Sequence, residues 1–262
     1  MTTTLVQPVT PRPLRCYTAT TVRILRQLRA DHRTVAMLLL VPALLLSLLY
    51  FVYQDSPTVP GVPRLFDRVG ISMLGILPFI VMFLITAIAM QRERTSGTLE
   101  RLMTTPLSKL DLLAGYGTAF SVAAAGQAGL ACLVAFWLLD LNAAGSPWLV
   151  VLIAVVDAVL GVALGLLASA FARTEFQAVQ FMPVLVGPQF FLCGLLVPRG
   201  QLPDWLEVIS NVLPLSYAVS ALQEVSQHPG ATAEMWRDLA VVAAFAAVAL
   251  CLGAATLRRR TQ

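Results

Sequence analysis

The sequence predicts an all-α integral membrane protein: six transmembrane helices, an N-terminal interfacial helix, and short outer-leaflet helices between the fifth and sixth spans. Three observations carry this. Of 262 residues, 58% are hydrophobic and only 12% are charged, too apolar for a soluble domain that must cover its core with polar surface. Six apolar runs reach the roughly 20 residues that a bilayer-crossing helix needs. The basic residues lie between those runs and favour one side.

The runs fall at 34–53, 71–90, 112–139, 147–171, 176–197 and 236–257. An Arg-rich stretch precedes the first run, so Thr34 to Tyr53 reads as a retained anchor, not a cleaved signal. The third and fourth runs exceed the minimum and have room to tilt or extend past the headgroups. Pro42, Pro78, Pro183 and Pro188 lie inside spans, where neighbouring helices can satisfy the backbone groups that proline frees. With six spans, 14 of the 18 Lys and Arg residues fall on one side and four, Arg64, Arg68, Arg199 and Arg237, on the other. The positive-inside rule then places both termini in the cytoplasm of a multi-pass inner (plasma) membrane protein. Residues 1–33 form a cytoplasmic tail with the interfacial helix, 34–257 one transmembrane domain, and 258–262 a cytoplasmic tail. Val22, Leu25 and Leu28, set among Arg26, Arg29 and Arg33, give residues 14–33 the pattern of a helix on the inner leaflet; a disordered basic tail is the alternative.

Charge also bears on partners. The basic residues do not line one soluble face, which argues against nucleic acid and leaves membrane lipid as the surrounding medium. Cys16, Cys132, Cys193 and Cys251 are far apart, and His32 and His228 lack a metal-binding context. No metal or catalytic constellation is expected. Lys109, the single lysine, sits in a Ser-Lys-Leu context without a Gly-rich turn, so the chain carries no P-loop and ATP must bind another chain if it drives this one.

The most informative segment runs from Arg92 to Asp111. Gly97 is expected to start a short helix, Glu100 suits its first turn, and Leu99, Leu102 and Met103 give it an apolar side. Thr105 precedes Pro106 and is biased away from helix, so the helix should stop there. Ser108 and Asp111 have capping-box spacing at the start of the third span. A short amphipathic helix between spans suits docking of a soluble partner, although Gly and Pro also cap ordinary connectors.

This segment resembles the coupling-helix signature of ABC-2 type transporter permeases. Glu93, Gly97, Thr98, Leu99, Glu100, Leu102, Thr105 and Pro106 match it, while Thr95 stands where a second Glu is expected. A second stretch resembles the family through Gly194, Pro198, Leu202, Pro203, Trp205, Leu213, Pro214, Ser216 and Tyr217. The resemblance implies a permease with no ATPase site of its own. It implies an ABC nucleotide-binding subunit that holds ATP and Mg, and a second permease subunit, identical or homologous. The implied function is export of amphipathic, drug-like or antibiotic-like compounds. Export of a lipid or lipid-linked glycan is the alternative, and an ion-coupled secondary transporter, which usually carries internal repeats, is a more distant one.

Asp157 is the one ionisable residue expected well inside a span. It shares a helical face with Gly161, Gly165 and Ser169, a small-residue stripe suited to close packing, so that face should point into protein. Both a transport role and a bond to a neighbouring helix are open, the structural one being preferred. Gln177, Gln180, Phe181, Gln189, Phe190 and Phe191 are candidate pathway residues, since aromatic faces and amides suit large, partly apolar cargo. Packing is the commoner fate of such residues.

Overall fold

The computed structural model describes residues 13–57, 62–98 and 109–256, and all regular elements among them are helices. Helix α1 (Pro13–Ala30) is followed at once by α2 (His32–Tyr53). Asp31 separates them as an N-cap: its carboxylate accepts from the Thr34 backbone N–H (3.1 Å) and hydroxyl (2.6 Å). The Thr34 hydrogen bonds hold the Asp31 carboxyl below its usual range.

Helix α3 (Leu65–Thr95) is much longer than its apolar run. At 1.5 Å per residue, 31 residues extend about 46 Å, against a hydrocarbon core of about 30 Å. Apolarity marks only the part in lipid, whereas the helix continues into water, with Asp67 paired to Arg64 at one end and the basic residues Arg92 and Arg94 in the last turn at the other. Gly97, at φ +72°, ends this run after the Ser96 N–H has bonded the Arg92 carbonyl, and Thr98 is again helical. Gly97 therefore stands between two helical segments. Ser108 and residues 99–107, the body of the expected coupling helix, lie outside the described residues.

Helix α4 (Lys109–Leu133) runs into a π-helical turn at Val134–Leu138, then Asp140 takes φ 49°. Helix α5 (Pro147–Ala168) begins with proline in its first turn, where the missing N–H is no loss. The expected fifth span is not one helix. It divides into α6 (Glu175–Leu185) and α7 (Gly187–Leu192), because Pro188 brings no N–H to the ladder. Helical hydrogen bonding nonetheless resumes across the junction: Val186 donates to Met182 (2.7 Å) and Phe190 to Val186 (2.9 Å). Beyond it lie α8 (Asp204–Ser210) and α9 (Pro214–Gln227), bent 91° from each other, and finally α10 (Ala233–Ala255).

Among the described residues, five single helices, α2, α3, α4 with its π turn, α5 and α10, are long and apolar enough to cross a membrane. A further path runs the length of the bundle. Glu175 at the start of α6 pairs with Arg92, at the Arg-rich end of α3. Gly194, just past α7, accepts from Gln223, which also reaches Ser72 near the opposite end of α3. The α6–α7 path thus traverses the bundle, whereas α8 and α9 form a re-entrant hairpin. Helix α10 agrees, with Met235 packed beside Leu139 and Leu141 and Ala254 beside Leu112 and Leu113.

All four tryptophans occupy one end: Trp137 closes α4, while Trp148, Trp205 and Trp236 lie in the first turns of α5, α8 and α10, all exposed. Such rings favour the headgroup level of a bilayer. The opposite end is the basic one. At the centre, α5 lies directly on α3, where Gly161 and Gly165 let the backbones touch. A Cβ at Gly161 would stand 2.4 Å from the Phe79 carbonyl oxygen, and one at Gly165 would stand 2.5 Å from that of Phe83.

Candidate functional site

The basic end ties three helices, α1, α4 and α6, to the stretch that leads out of α3. Arg23 of α1 donates to the Tyr116 hydroxyl of α4 (2.6 Å) and lies 3.7 Å from the Glu93 carboxylate of α3. Tyr17 and Thr118 share a second α1–α4 hydrogen bond (2.7 Å), and Ile24 is buried among Leu38, Met82, Leu112 and Leu113. Helix α1 is therefore fixed to the bundle by Ile24, a residue the Val22–Leu25–Leu28 pattern passes over. One residue before Glu93, Arg92 makes a two-pronged pair with Glu175 of α6, Nε to Oε1 at 3.1 Å and Nη2 to Oε2 at 3.2 Å. That guanidinium holds the Glu175 carboxyl below the usual carboxylate range.

Of the expected docking residues, Glu93 is buried and Gly97 and Thr98 follow it at the surface of this network. Leu99, Glu100, Leu102, Thr105 and Pro106 lie outside the described residues. What the geometry offers is mechanical: residues 92–98 are joined through Arg92 to α6 and through Glu93 to α1. Sequence reading missed Arg23, Tyr116 and Glu175, whose partners are distant in the chain.

The stripe on α5 is internal, as its spacing predicts. Asp157, Gly161, Gly165 and Ser169 are all buried, with Asp157 facing Gly75 of α3. No hydrogen-bond partner, however, meets either carboxyl oxygen of Asp157. Gln127 of α4, also fully buried, has neither amide atom partnered. A buried polar group without a partner costs about 1–3 kcal/mol. Asp157→Leu should therefore unfold at the same or higher temperature than the parent in detergent, and Asp157→Asn should bring no gain. A clear fall in the Leu variant's melting temperature would mean that a polar partner holds Asp157.

The six candidate pathway residues are not brought to one surface. Gln177 and Gln180 are exposed near the basic end, where the Gln177 side chain accepts from the Arg173 N–H (2.8 Å). Phe181 and Phe190 are half-buried against the core formed by Phe79, Phe83 and Leu215, and Phe191 is exposed. Gln189 is buried and bridges elements: its Nε2 donates to the Leu185 carbonyl (2.8 Å), and its Oε1 accepts from the Leu215 N–H (3.3 Å) in the first turn of α9. That satisfies one orphan donor of a buried helix start.

The Gly-Pro-Leu-Pro-Trp pattern of the opposite end has a physical account. Gly194 takes φ +92°, which a side chain would strain. Pro198 and Pro203 precede the 3₁₀ turn Arg199–Gln201 and α8, and Pro214 opens α9. Ser210 donates to the Leu192 carbonyl (2.9 Å) and shares a hydroxyl–hydroxyl contact with Ser216 (3.1 Å), while the Tyr217 hydroxyl donates to the Asn211 carbonyl (2.7 Å). These bonds brace the re-entrant hairpin against α7.

Comparison with known proteins gives a consistent picture. The profile of the ABC-2 type transporter family matches residues 15–226. The chain is 24% identical over 168 residues to the probable multidrug ABC transporter permease YbhR of Escherichia coli (strain K12), covering 64% of this chain and 46% of that protein. It is 28% identical over 165 residues to the linearmycin resistance permease protein LnrN of Bacillus subtilis (strain 168), covering 63% and 43%. ABC transporter G family member 20 of Dictyostelium discoideum is 27% identical over 172 residues, covering 65% and 24%. The chain spans less than half the length of these curated relatives.

Proposed function

The chain belongs to the ABC-2 type transporter family, and from that premise we propose that it is the permease subunit of an ATP-driven exporter of amphipathic, drug-like compounds. ATP and Mg belong to a separate nucleotide-binding subunit, and a second permease, identical or homologous, completes the pathway. The observation that carries this reading is the tying of residues 92–98 to α1, α4 and α6 through Arg23, Glu93, Tyr116, Arg92 and Glu175. ATP shifts a conformational equilibrium only by favouring one global state, so its free energy must enter the spans through a contact that moves them together. A loop attached to this network meets that need. Drug-like cargo is supported by likeness to permeases named for multidrug transport and linearmycin resistance; lipid export remains the competing cargo.

In this reading the basic end is cytoplasmic, supported by the 14-to-4 distribution of Lys and Arg. A single cysteine replacing Thr98 should resist a membrane-impermeant thiol reagent in intact cells and react after permeabilisation. Labelling in intact cells would invert the orientation. Function itself is tested by purifying the tagged chain in mild detergent from its native membrane and asking whether an ABC ATPase comes with it. A stable complex whose ATP hydrolysis rises with an amphipathic probe is expected; a chain that holds no ATPase would defeat the proposal.

A further inference from the structure

At the basic end, α1, α2, α3 and α4 enclose a partly open cavity of about 620 Å³. Its size falls within the range of small-molecule sites, roughly 300–1,000 Å³. It is graded in polarity along α3. Ile85, Ile88 and Ala89 line the part nearer the membrane centre, together with Phe120 of α4; one turn further, Arg92 and Glu93 line the part nearer the basic end, with Arg23 and Asp31 opposite. Met37 also lines it and is exposed on the outer side of α2, so the cavity opens laterally where α2 faces lipid. This gradient is that of one leaflet: hydrocarbon inward, charge at the surface.

The charged rim is not closed on itself. Glu93 is only 8% exposed, yet its Oε2 has no hydrogen-bond partner, and Arg23 Nε is likewise buried and unpartnered. One orphan acceptor and one orphan donor thus belong to residues that line the same space. Of the four charged groups on the rim, Arg92 is already paired with Glu175, which leaves Arg23 as the cation for a phosphate against two carboxylates, Asp31 and Glu93, so the rim disfavours a headgroup of net negative charge.

We propose that this cavity is a binding site for a zwitterionic aminophospholipid of the adjoining leaflet, with one acyl chain along Ile85, Ile88 and Ala89, the phosphate toward Arg23, and the primary ammonium toward Glu93 and Asp31. A primary ammonium has N–H groups to give the free Glu93 oxygen; a quaternary choline has none, so ethanolamine headgroups are selected. The lipid stands between α1 and α3, apart from the α6–α7 path, and seats α1 on the bundle. This inference needs only that the chain spans a membrane, not that it exports anything.

The test is native mass spectrometry of the full chain, reconstituted in vesicles of equal parts phosphatidylethanolamine, phosphatidylcholine and phosphatidylglycerol and re-extracted in mild detergent. The expected result is a phosphatidylethanolamine adduct enriched about tenfold over the other two. Glu93→Gln should bring it down to the phosphatidylcholine level, and Ala89→Trp, which fills the apolar end, should abolish it. Should Ala89→Trp fail to fold, phosphatidylethanolamine carrying a photoactivatable acyl chain, applied to the unaltered protein, should label the peptides holding Met37 and Ile85 to Ala89. Adducts in vesicle proportions, a preference for phosphatidylglycerol, enrichment that survives both substitutions, or labelling spread over the outer faces of α2 and α10 would each overturn the site. Displacement of the lipid by an exported compound would also overturn it, since the cavity would then hold cargo.

Discussion

Replacing Gly161 or Gly165 by valine should abolish the folded protein. The neighbours a Cβ would strike are the carbonyl oxygens of Phe79 and Phe83, with the Ala87 backbone nitrogen 3.1 Å from the second position. A flexible side chain could turn aside; backbone inside an α-helix cannot, so α5 must move away from α3 along its length. Overpacking of a close-packed core costs about 1–3 kcal/mol where side chains can adjust, and the cost here should lie at or above the top of that range. The measurement is recovery of monodisperse protein in detergent and its melting temperature. Gly126 and Gly129 of α4, where an added Cβ meets nothing within 4 Å, supply the control: alanine there should leave both quantities unchanged. Normal recovery of both valine variants would mean that α3 and α5 are not packed in this way.

The second large effect is functional. Glu100→Ala, Leu102→Asp and Pro106→Ala should each leave membrane insertion and folding intact while lowering ATPase retention or probe-stimulated hydrolysis. In the proposed mechanism Glu100 pairs with a basic groove of the ATPase, Leu102 fills an apolar pocket, and Pro106 sets where the docking segment ends. Leu102→Asp should be the most severe, since it puts a charge into a desolvated contact and should lose about tenfold or more in complex formation. Insertion is read from membrane yield, coupling from ATPase retained per permease and from hydrolysis with and without probe. Normal binding and transport by all three variants would reduce the loop to a connector.

Much of this architecture is legible in the sequence because lipid imposes one strong rule: backbone polar groups must be satisfied within the segment, so apolar runs become helices. The small-residue stripe of α5 was readable for the same reason, since Asp157, Gly161, Gly165 and Ser169 share a face only if that face is internal. Helix ends were less readable. Hydropathy stops at the water, but α3 continues to Thr95, and Gly97, expected to start a helix, first ends one. Pro188 sits in an apolar run and divides it, a local hydrogen-bond effect that composition averages away. The network at the basic end was least visible. Arg23 and Tyr116 are 93 positions apart and Arg92 and Glu175 are 83, and nothing local in either pair announces the other. The missing partner of Asp157 is likewise a tertiary fact; sequence suggested a hydrogen bond across the helix interface, whereas Gly75 is what it meets.

The central claim is that a separate ATPase drives this chain, and transport in inside-out membrane vesicles tests it most directly. Vesicles containing the chain and the ATPase that co-purifies with it should accumulate an amphipathic fluorescent probe when ATP and Mg are added. Accumulation should stop when the ATPase is omitted or Leu102 is changed to Asp, and should persist when a protonophore collapses the proton gradient. Accumulation that needs no ATPase and vanishes with the proton gradient would contradict the account and make the chain an ion-coupled transporter.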